Sequence, residues 1–321
     1  MPRKLRHKFL FLTKPFYDFL SVLNPYSTAL RKEVGQKIEV LKNTIPMTRG
    51  GLIFFTDFHE RYNARNSVYI IKRILTNFPA SKIFFGGDAI TLSEQNKKKA
   101  LKVHKKFYDC FSFCADDFFF IYGNHDNNSH AQKNKNAILE TNEVKNVYFK
   151  KQPCIFFGEF SYYLDDVKSQ TRYVCLDTGK QYITKDEMQK ITATLNSASE
   201  GFHIIILTHI VYEFIERKYQ PRQYIVDMLN IFDAFNKLNS KTRVECIIGG
   251  HIHNDYVSST SGGIPIILCD SDSYLFSANR FVRKRRHVSE QCITVFFPDY
   301  EKGVLNLFRF GYGKDLQIPL K

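Results

Sequence analysis

Asp117-Phe118-Phe119-Phe120-Ile121-Tyr122-Gly123-Asn124-His125-Asp126 is the stretch on which the reading of this chain turns. An apolar run of strand length gives way to a turn that holds an amide, an imidazole and a carboxylate. Such residues at the carboxyl end of a buried strand mark a site in an α/β sheet rather than packing. Taken alone the turn is a weak signal, because Gly-Asn and His-Asp are also ordinary turn chemistry. Its weight comes from four other strand-end turns that carry residues of the same kind.

Upstream, Gly51-Leu52-Ile53-Phe54-Phe55-Thr56 reads as a buried strand that ends in Asp57-Phe58-His59. Alternation along an extended end projects Asp57 and His59 together and turns Phe58 into the core. A carboxylate oxygen beside an imidazole nitrogen suits a divalent transition metal; for this pair alone, a capping Asp and a solvated His is the better reading. Val68 to Phe78 reads as a helix. A second strand, Ser81 to Phe85, ends in Gly86-Gly87-Asp88, where the glycines admit close backbone approach. The helix that follows, about Ser93 to Phe113, carries Lys97, Lys98, Lys99, Lys102, Lys105 and Lys106. Such a run is usually a solvated face, though its density leaves a polyanion contact open.

Downstream, Phe160 to Leu164 and Arg172 to Asp177 read as strands around a turn at Asp165-Asp166 and suggest a change to antiparallel pairing. Asp177-Thr178-Gly179 is a further polar turn with no metal partner to assign. Lys185 to Leu195 is amphipathic and helical in pattern. Phe202 to Leu207 is a buried strand ending in Thr208-His209; His203 at its start reads as structural and His209 at its end as a ligand. Arg243 to Ile248 leads into Gly249-Gly250-His251-Ile252-His253, two imidazoles at i and i+2 after paired glycines, the most specific local signal in the chain. Ile264 to Cys269, Cys292 to Phe297 and Val304 to Phe310 read as a second β layer, with Arg283-Lys284-Arg285-Arg286 as a basic loop between them.

The chain has 321 residues, enough for one large α/β unit, and no internal repeat. Forty-six Lys and Arg against 32 Asp and Glu give +14, which favours an anionic partner: a phosphorylated substrate, nucleic acid, a nucleotide or an acidic membrane surface. Seven Cys, odd in number and without a C-x-x-C pair, read as buried apolar side chains in a reducing compartment. Residues 1–50 form an N-terminal basic and helical arm ahead of a domain over 51–321. Pro2 to Lys8 is basic, Phe9 to Leu23 is rich in Phe and Leu, and Leu30, Val34, Ile38 and Leu41 recur at helical spacing. Lys14, Pro15 and Asp18 interrupt the apolar run and no small-residue cleavage site follows. The expectation is therefore a cytoplasmic protein with no membrane span, whose arm packs on the domain; weak association of the arm with a membrane surface is the alternative.

Taken jointly, Asp57-x-His59, Gly87-Asp88, Gly123-Asn124-His125-Asp126, His209 and Gly250-His251-x-His253 resemble, in order and context, the motifs of the calcineurin-like metallophosphoesterases, over about Gly51 to Tyr256. The resemblance implies a four-layer αββα sandwich, two mixed sheets face to face with helices outside. It implies that Asp57, His59 and His253 hold one divalent ion, that Asn124, His209 and His251 hold another, and that Asp88 bridges both. It leaves His125 free of metal as the general acid, oriented by Asp126. The implied reaction is hydrolysis of a phosphodiester or phosphomonoester by in-line attack of a metal-bridging hydroxide. Mn²⁺ is the expected metal, and Fe, Zn²⁺ or Ni²⁺ suit the same oxygen and nitrogen donors. Protein Ser/Thr phosphatases of the superfamily carry Arg after the second-motif Asp and end the third motif in Glu. Here Ala89 follows Asp88 and the motif ends in Asp126. Purple acid phosphatases place a metal-binding Tyr where this chain has Thr91. What remains resembles the phosphodiesterases, nucleases and small-molecule phosphatases, with a likeness to phage-encoded members between Asp57 and Asp88. The competing expectation is a metal-containing protein that docks nucleic acid through its basic surface without turnover.

Overall fold

The structure, a computed structural model, describes residues 26–59, 64–90, 94, 96–130, 132–150, 152–273, 277–284 and 287–320. The basic and apolar stretches before residue 26 lie outside them. Helix α1 (Tyr26–Thr44) turns Leu30, Val34, Ile38 and Leu41 inward, as their spacing predicts. Strand β1 (Leu52–Phe55), helix α2 (Ala64–Asn77), strand β2 (Lys82–Phe85), helix α3 (Lys97–Cys110) and strand β3 (Phe118–Phe120) form a parallel βαβαβ run. Asn96 caps α3 by accepting the amide of Lys99, so the helix starts four residues later than its pattern predicts. It also ends earlier, at a tighter turn over Ser112–Asp117.

After α4 (Thr141–Tyr148) the chain builds a second sheet. Strands β4 (Ile155–Phe156), β5 (Tyr162–Asp166) and β6 (Thr171–Leu176) pair antiparallel, which is the predicted change in direction. Helix α5 (Lys185–Asn196), with Thr184 and Glu187 bonding each other's backbone amides at its start, returns the chain to β7 (His203–Thr208), parallel to β6. A small ribbon, β8 (Glu213–Ile215) with β9 (Lys218–Gln220), precedes α6 (Gln223–Leu238) and β10 (Arg243–Gly249). Strands β11 (Tyr256–Ser259) and β12 (Pro265–Leu268) complete this sheet in the order β11-β12-β10-β7-β6-β5-β4.

The last three strands correct one expectation. Strands β13 (Cys292–Asp299), β14 (Val304–Gly311) and β15 (Leu316–Pro319) do not join β12 in a common layer. They return to the first sheet, where β13 lies antiparallel beside β1, giving the order β15-β14-β13-β1-β2-β3. A strand buried on both faces, such as Ile293-Thr294-Val295-Phe296, fits either sheet by its pattern, so pairing decides.

Alternation along the strands assigns the layers. Phe54, Phe84, Phe119 and Phe296 face Tyr162, Tyr173, Ile205 and Cys246 of the opposing sheet. Ile53, Phe55, Ile83, Phe85, Phe118 and Phe120 face α1, α2 and α3, while Val174, Ile204, Ile206 and Ile247 face α5 and α6. The result is the four-layer αββα sandwich, in which every central strand is buried on both faces. No helix among the described residues is long and apolar enough to cross a membrane.

One buried histidine supports the site from behind. His104 of α3 is fully buried, with Nδ1 2.7 Å from the Tyr148 hydroxyl and Nε2 2.8 Å from the Asp126 carbonyl. A carbonyl accepts only, so Nε2 carries the proton and Nδ1 accepts from the tyrosine. Burial pushes this imidazole down to about 4. Because the unfolded chain takes up a proton near pH 6.5 and the folded one does not, stability is lost as pH falls from there toward 4, by up to about 3 kcal/mol. His104→Gln is expected to be less stable than wild type at neutral pH, with the gap closing on acidification. Urea midpoints at about pH 7 and about pH 4.5 measure it; a gap that stays constant contradicts the neutral, buried state of His104.

Candidate dinuclear metal centre

The carboxyl ends of five strands, three from one sheet and two from the other, open at the same edge of the sandwich. Beyond β1 lie Asp57 and His59, beyond β2 Asp88, beyond β3 Asn124, His125 and Asp126, beyond β7 His209, and beyond β10 His251 and His253. Asp57, Asp88, Asp126 and His209 are at most 1 % exposed. Leaving carboxylates so dry is costly unless cations or donors meet them.

The side chains converge in two overlapping groups. His253 Nε2 is 2.9 Å from Asp57 Oδ1, and His59 Nε2 is 3.2 Å from His253 Nε2 and 3.7 Å from Asp57 Oδ1. His209 Nε2 is 3.1 Å from Asn124 Oδ1 and 3.4 Å from Asp88 Oδ2, and the His251 ring lies 5.2 Å from that of His209, centroid to centroid. Asp57, His59 and His253 offer one ligand atom each within 4.8 Å of one another, as do Asp57, Asp88 and His209. His59, Asp88 and His125 form a third such set. Each of the nine residues singled out in the sequence reaches this one region.

Two imidazoles are aimed by the backbone. His209 Nδ1 lies 2.6 Å from the Gly86 carbonyl and His59 Nδ1 lies 3.1 Å from the Ile90 carbonyl. A carbonyl holds the proton on Nδ1, so Nε2 of each ring points into the cluster, the usual orientation of a metal-ligating histidine. Nitrogen and oxygen lone pairs facing each other at such distances, with few protons between them, fit a site for divalent cations. The donor set of carboxylate, imidazole and amide oxygen fits transition metals.

Electrostatics agree. Burial alone pushes the Asp57 carboxyl up, but His253 and His209 outweigh it and hold the group below the usual range. Asp88 behaves in the same way, with His209 and His125 overcoming burial. Burial and His253 push His59 down to about 4, while burial and His209 push His251 down to about 3. His209, despite its burial, is raised to about 10 by Asp88 and Asp57. The two acidic groups thus attract positive charge, and the two depressed imidazoles are neutral donors at physiological pH.

How the residues come together differs from strand alternation. Strand β1 stops at Phe55, and Asp57 and His59 then adopt left-handed backbone, φ 54° and 51°. Asp88, His251 and His253 do the same, at 60°, 69° and 52°. His251 and His253 therefore reach the site from bent, left-handed backbone and not by alternation along an extended segment. Non-glycine residues held there are uncommon and cluster at functional sites. The packing also demands Gly250, because a Cβ at that position would lie 2.3 Å from Thr56 Oγ1 and 2.7 Å from Asp57 Oδ2.

Asp126 takes different partners from those the resemblance implies. Its carboxylate accepts the backbone amides of Asp88 and Ala89, both at 2.9 Å, and of Gly123 at 2.8 Å. No hydrogen bond from the His125 ring to it occurs among the described contacts. The His125 ring instead packs on His130, centroids 4.1 Å apart, with Nε2 3.8 Å from Asp88 Oδ2. Burial holds the His125 pKa below its ordinary value.

Sequence reasoning passed over the turn after β12. Asp270, Ser271, Asp272 and Ser273 are all at most 1 % exposed. Ser271 Oγ donates to the Asp57 carbonyl at 2.8 Å, and the Asp272 amide donates to the Thr56 carbonyl at 2.9 Å. The signal was present, since Cys269-Asp270-Ser271-Asp272-Ser273 is one more polar turn at a strand end. Arg283, read as part of a basic loop, is buried: it donates to the carbonyls of Ser271, Ser289 and Glu290. Arg285 and Arg286 of that loop lie outside the described residues.

The sequence profile of the calcineurin-like phosphoesterases matches residues 52–255. Comparison with curated proteins finds no match by sequence. Among solved structures, a dimetal phosphatase from Danio rerio aligns with a TM-score of 0.59 at 11 % identity, covering 86 % of this chain and 100 % of that one. A Thermus thermophilus protein, TT1561, aligns at 0.46 with 9 % identity, over 82 % and 99 % of the two chains. A 5'-nucleotidase from Candida albicans aligns at 0.43 with 12 % identity, over 78 % and 47 %. At such identity the first of these speaks for the fold, and the scores of the other two support nothing further. The sequence match covers strands of both sheets and every strand-end turn that carries a residue of the cluster, and with it the chain belongs to the calcineurin-like phosphoesterase family.

Proposed function

We propose that the protein hydrolyses a phosphodiester or phosphomonoester at a dinuclear centre, with His125 as the general acid. Asp57, His59 and His253 hold one ion, Asn124, His209 and His251 hold the other, and Asp88 serves both. The observation that carries this reading is the aiming of His59 and His209: each gives its Nδ1 proton to a backbone carbonyl, so that Nε2 faces the carboxylates. Two divalent ions, when bound, lower the pKa of water and neutralise charge on the phosphoryl group. Mn²⁺ is the ion we expect, given the mixed oxygen and nitrogen donors.

The chain's own residues divide the remaining work. Asn124 contributes a neutral oxygen beside His209, which limits the negative charge a phosphate meets on entry. His125 is more open than the buried ligands, so its ring can exchange a proton with solvent and pass it to the leaving oxygen. Asp126 acts on the reaction through the backbone: by gathering the amides of Gly123, Asp88 and Ala89 it fixes the turn from which His125 projects relative to Asp88. It is a positioning residue.

A second reading, a metal-containing protein that docks nucleic acid without turnover, has one observation in its favour. Lys98, Lys99, Lys102, Lys105 and Lys106 are exposed along α3, a basic stripe on a single helix. Polynucleotide binding through it would weaken steeply with added salt, and a flat response removes this reading.

Stripped of metal and resupplied with Mn²⁺, the protein is expected to cleave bis(4-nitrophenyl) phosphate or 4-nitrophenyl phosphate, and Asp88→Asn is expected to lose both metal and activity. The ratio of the two rates separates diesterase from monoesterase. His125→Ala is expected to keep two metals per chain and to lose about 10²–10⁴-fold in kcat. Metal analysis alongside kinetics decides the role: loss of one metal in His125→Ala assigns this residue to the centre, in line with its proximity to His59 and Asp88.

A further inference from the structure

Beside the metal centre lies a cavity of about 470 Å³ that none of the proposed ligands except Asn124 touches. Its size falls in the range of small-molecule sites, about 300–1,000 Å³. At its wall stands Asp177, the residue after β6 whose polar turn found no metal partner in the sequence. Asp177 is 4 % exposed, and its Oδ1 is buried with no hydrogen-bond partner among the described residues. An unmatched carboxyl oxygen costs on the order of 1–3 kcal/mol or more, so its retention needs a reason.

The Asp177 turn is built against the centre. A Cβ at Gly179 would lie 2.6 Å from the Tyr122 carbonyl oxygen and 2.8 Å from the Gly123 carbonyl carbon, so only glycine lets this turn press on the one that carries Asn124 and His125. The same cavity is walled by Tyr122 and Phe160, whose rings stack 4.3 Å apart, and by His130, which packs on His125. An ester whose phosphoryl group sits at Asn124 and whose leaving oxygen meets His125 would extend its alcohol half into this space.

We propose that the cavity is the subsite for the alcohol half of the substrate and that Asp177 determines specificity there, accepting hydrogen bonds from the hydroxyls of a polyol or sugar moiety. This rests on the phosphoesterase reading. The charges around the carboxyl are already matched: Lys180 pairs with Glu187, and Lys145 faces Glu159 as well as Asp177. What the buried Oδ1 lacks is a donor, and a neutral O–H group supplies one without adding charge. Burial pushes the Asp177 carboxyl up to about 7, and a hydroxyl, which both donates and accepts, pairs with either protonation state. The stacked pair of Tyr122 and Phe160 forms a rigid, nearly buried part of the wall, and most of the rest of the lining, with Asn127, Ser129, Glu159 and Gln181, is polar, as suits a hydroxyl-bearing group.

The test compares D-ribose 5-phosphate, O-phosphoethanolamine and ethyl phosphate, read as phosphate release by the Mn²⁺-loaded protein. Wild type is expected to favour the ribose ester over the ethyl ester in kcat/KM, through KM. In Asp177→Ala that preference is expected to fall about tenfold, the loss of one buried hydrogen bond to a carboxyl. Asp177→Asn keeps the volume and one acceptor and is expected to lie between, which covers failure of the alanine variant to fold. An equal fall for ribose and ethyl esters, or no fall, overturns the proposal, and a fall confined to phosphoethanolamine overturns the hydroxyl assignment. If wild type releases phosphate from none of the three and 4-nitrophenol from neither aryl ester, the phosphoesterase reading fails separately. Calorimetric affinities of the same protein for ribose 5-phosphate and inorganic phosphate then decide: a preference for the ribose ester that Asp177→Ala abolishes supports the subsite, and equal affinities refute it.

Discussion

The three hydrogen bonds that end on the Asp126 carboxylate tie this structure together at its working edge. Gly123, Asp88 and Ala89 donate their amides to it from two different strand ends. The carboxylate is fully buried, so each of those amides would otherwise lie unmatched in a dry interior. Burial and the nearby charge of Asp88 push Asp126 up to about 7, against the pull of the three amides. His104 and Tyr148 close the same turn from below, through the Asp126 carbonyl.

Around this staple the fold holds the converging side chains on backbone that a free chain avoids. Asp57, His59, Asp88, His251 and His253 all lie in the left-handed region. Each costs of the order of 1 kcal/mol or more, and persists only because the surroundings over-determine it. The Phe-rich seam between the sheets and the aromatic layer under α2 and α3 supply that rigidity, together with the clamp of Ser271 and Asp272 on the backbone of Thr56 and Asp57. The candidate centre is therefore placed where two sheets stop, and stability is placed where they face each other.

Much of this was legible in the chain. The strands that bear the site are short runs of Phe, Ile and Val between turn residues, and their ends carry every residue that meets at the centre. Helices α1, α2, α3 and α5 were legible by period, to within a few residues at their ends, with Asn96 capping moving the start of α3; α4 and α6 were not read from the sequence. The last strands were legible as strands and not by partner, because β13 is buried on both sides and its pattern does not say which sheet it joins. The turn at Asp270 to Ser273 is a polar strand-end turn like the others, but it holds no imidazole or amide to mark it as a site, and its burial comes only from packing.

What the sequence by itself determined is the set of chemical groups and the strand ends that carry them, since apolar periodicity and turn residues are local properties. Only the tertiary structure decided that Asp57 faces His253 across almost two hundred intervening residues. It alone decided that Asp126 serves backbone amides, that Arg283 is buried, and that Asp177 opens on a cavity beside Asn124. Each of those outcomes depends on which distant segments pack together, and a residue's hydrogen-bond partners in a dry interior are fixed by that packing and not by its neighbours in the chain.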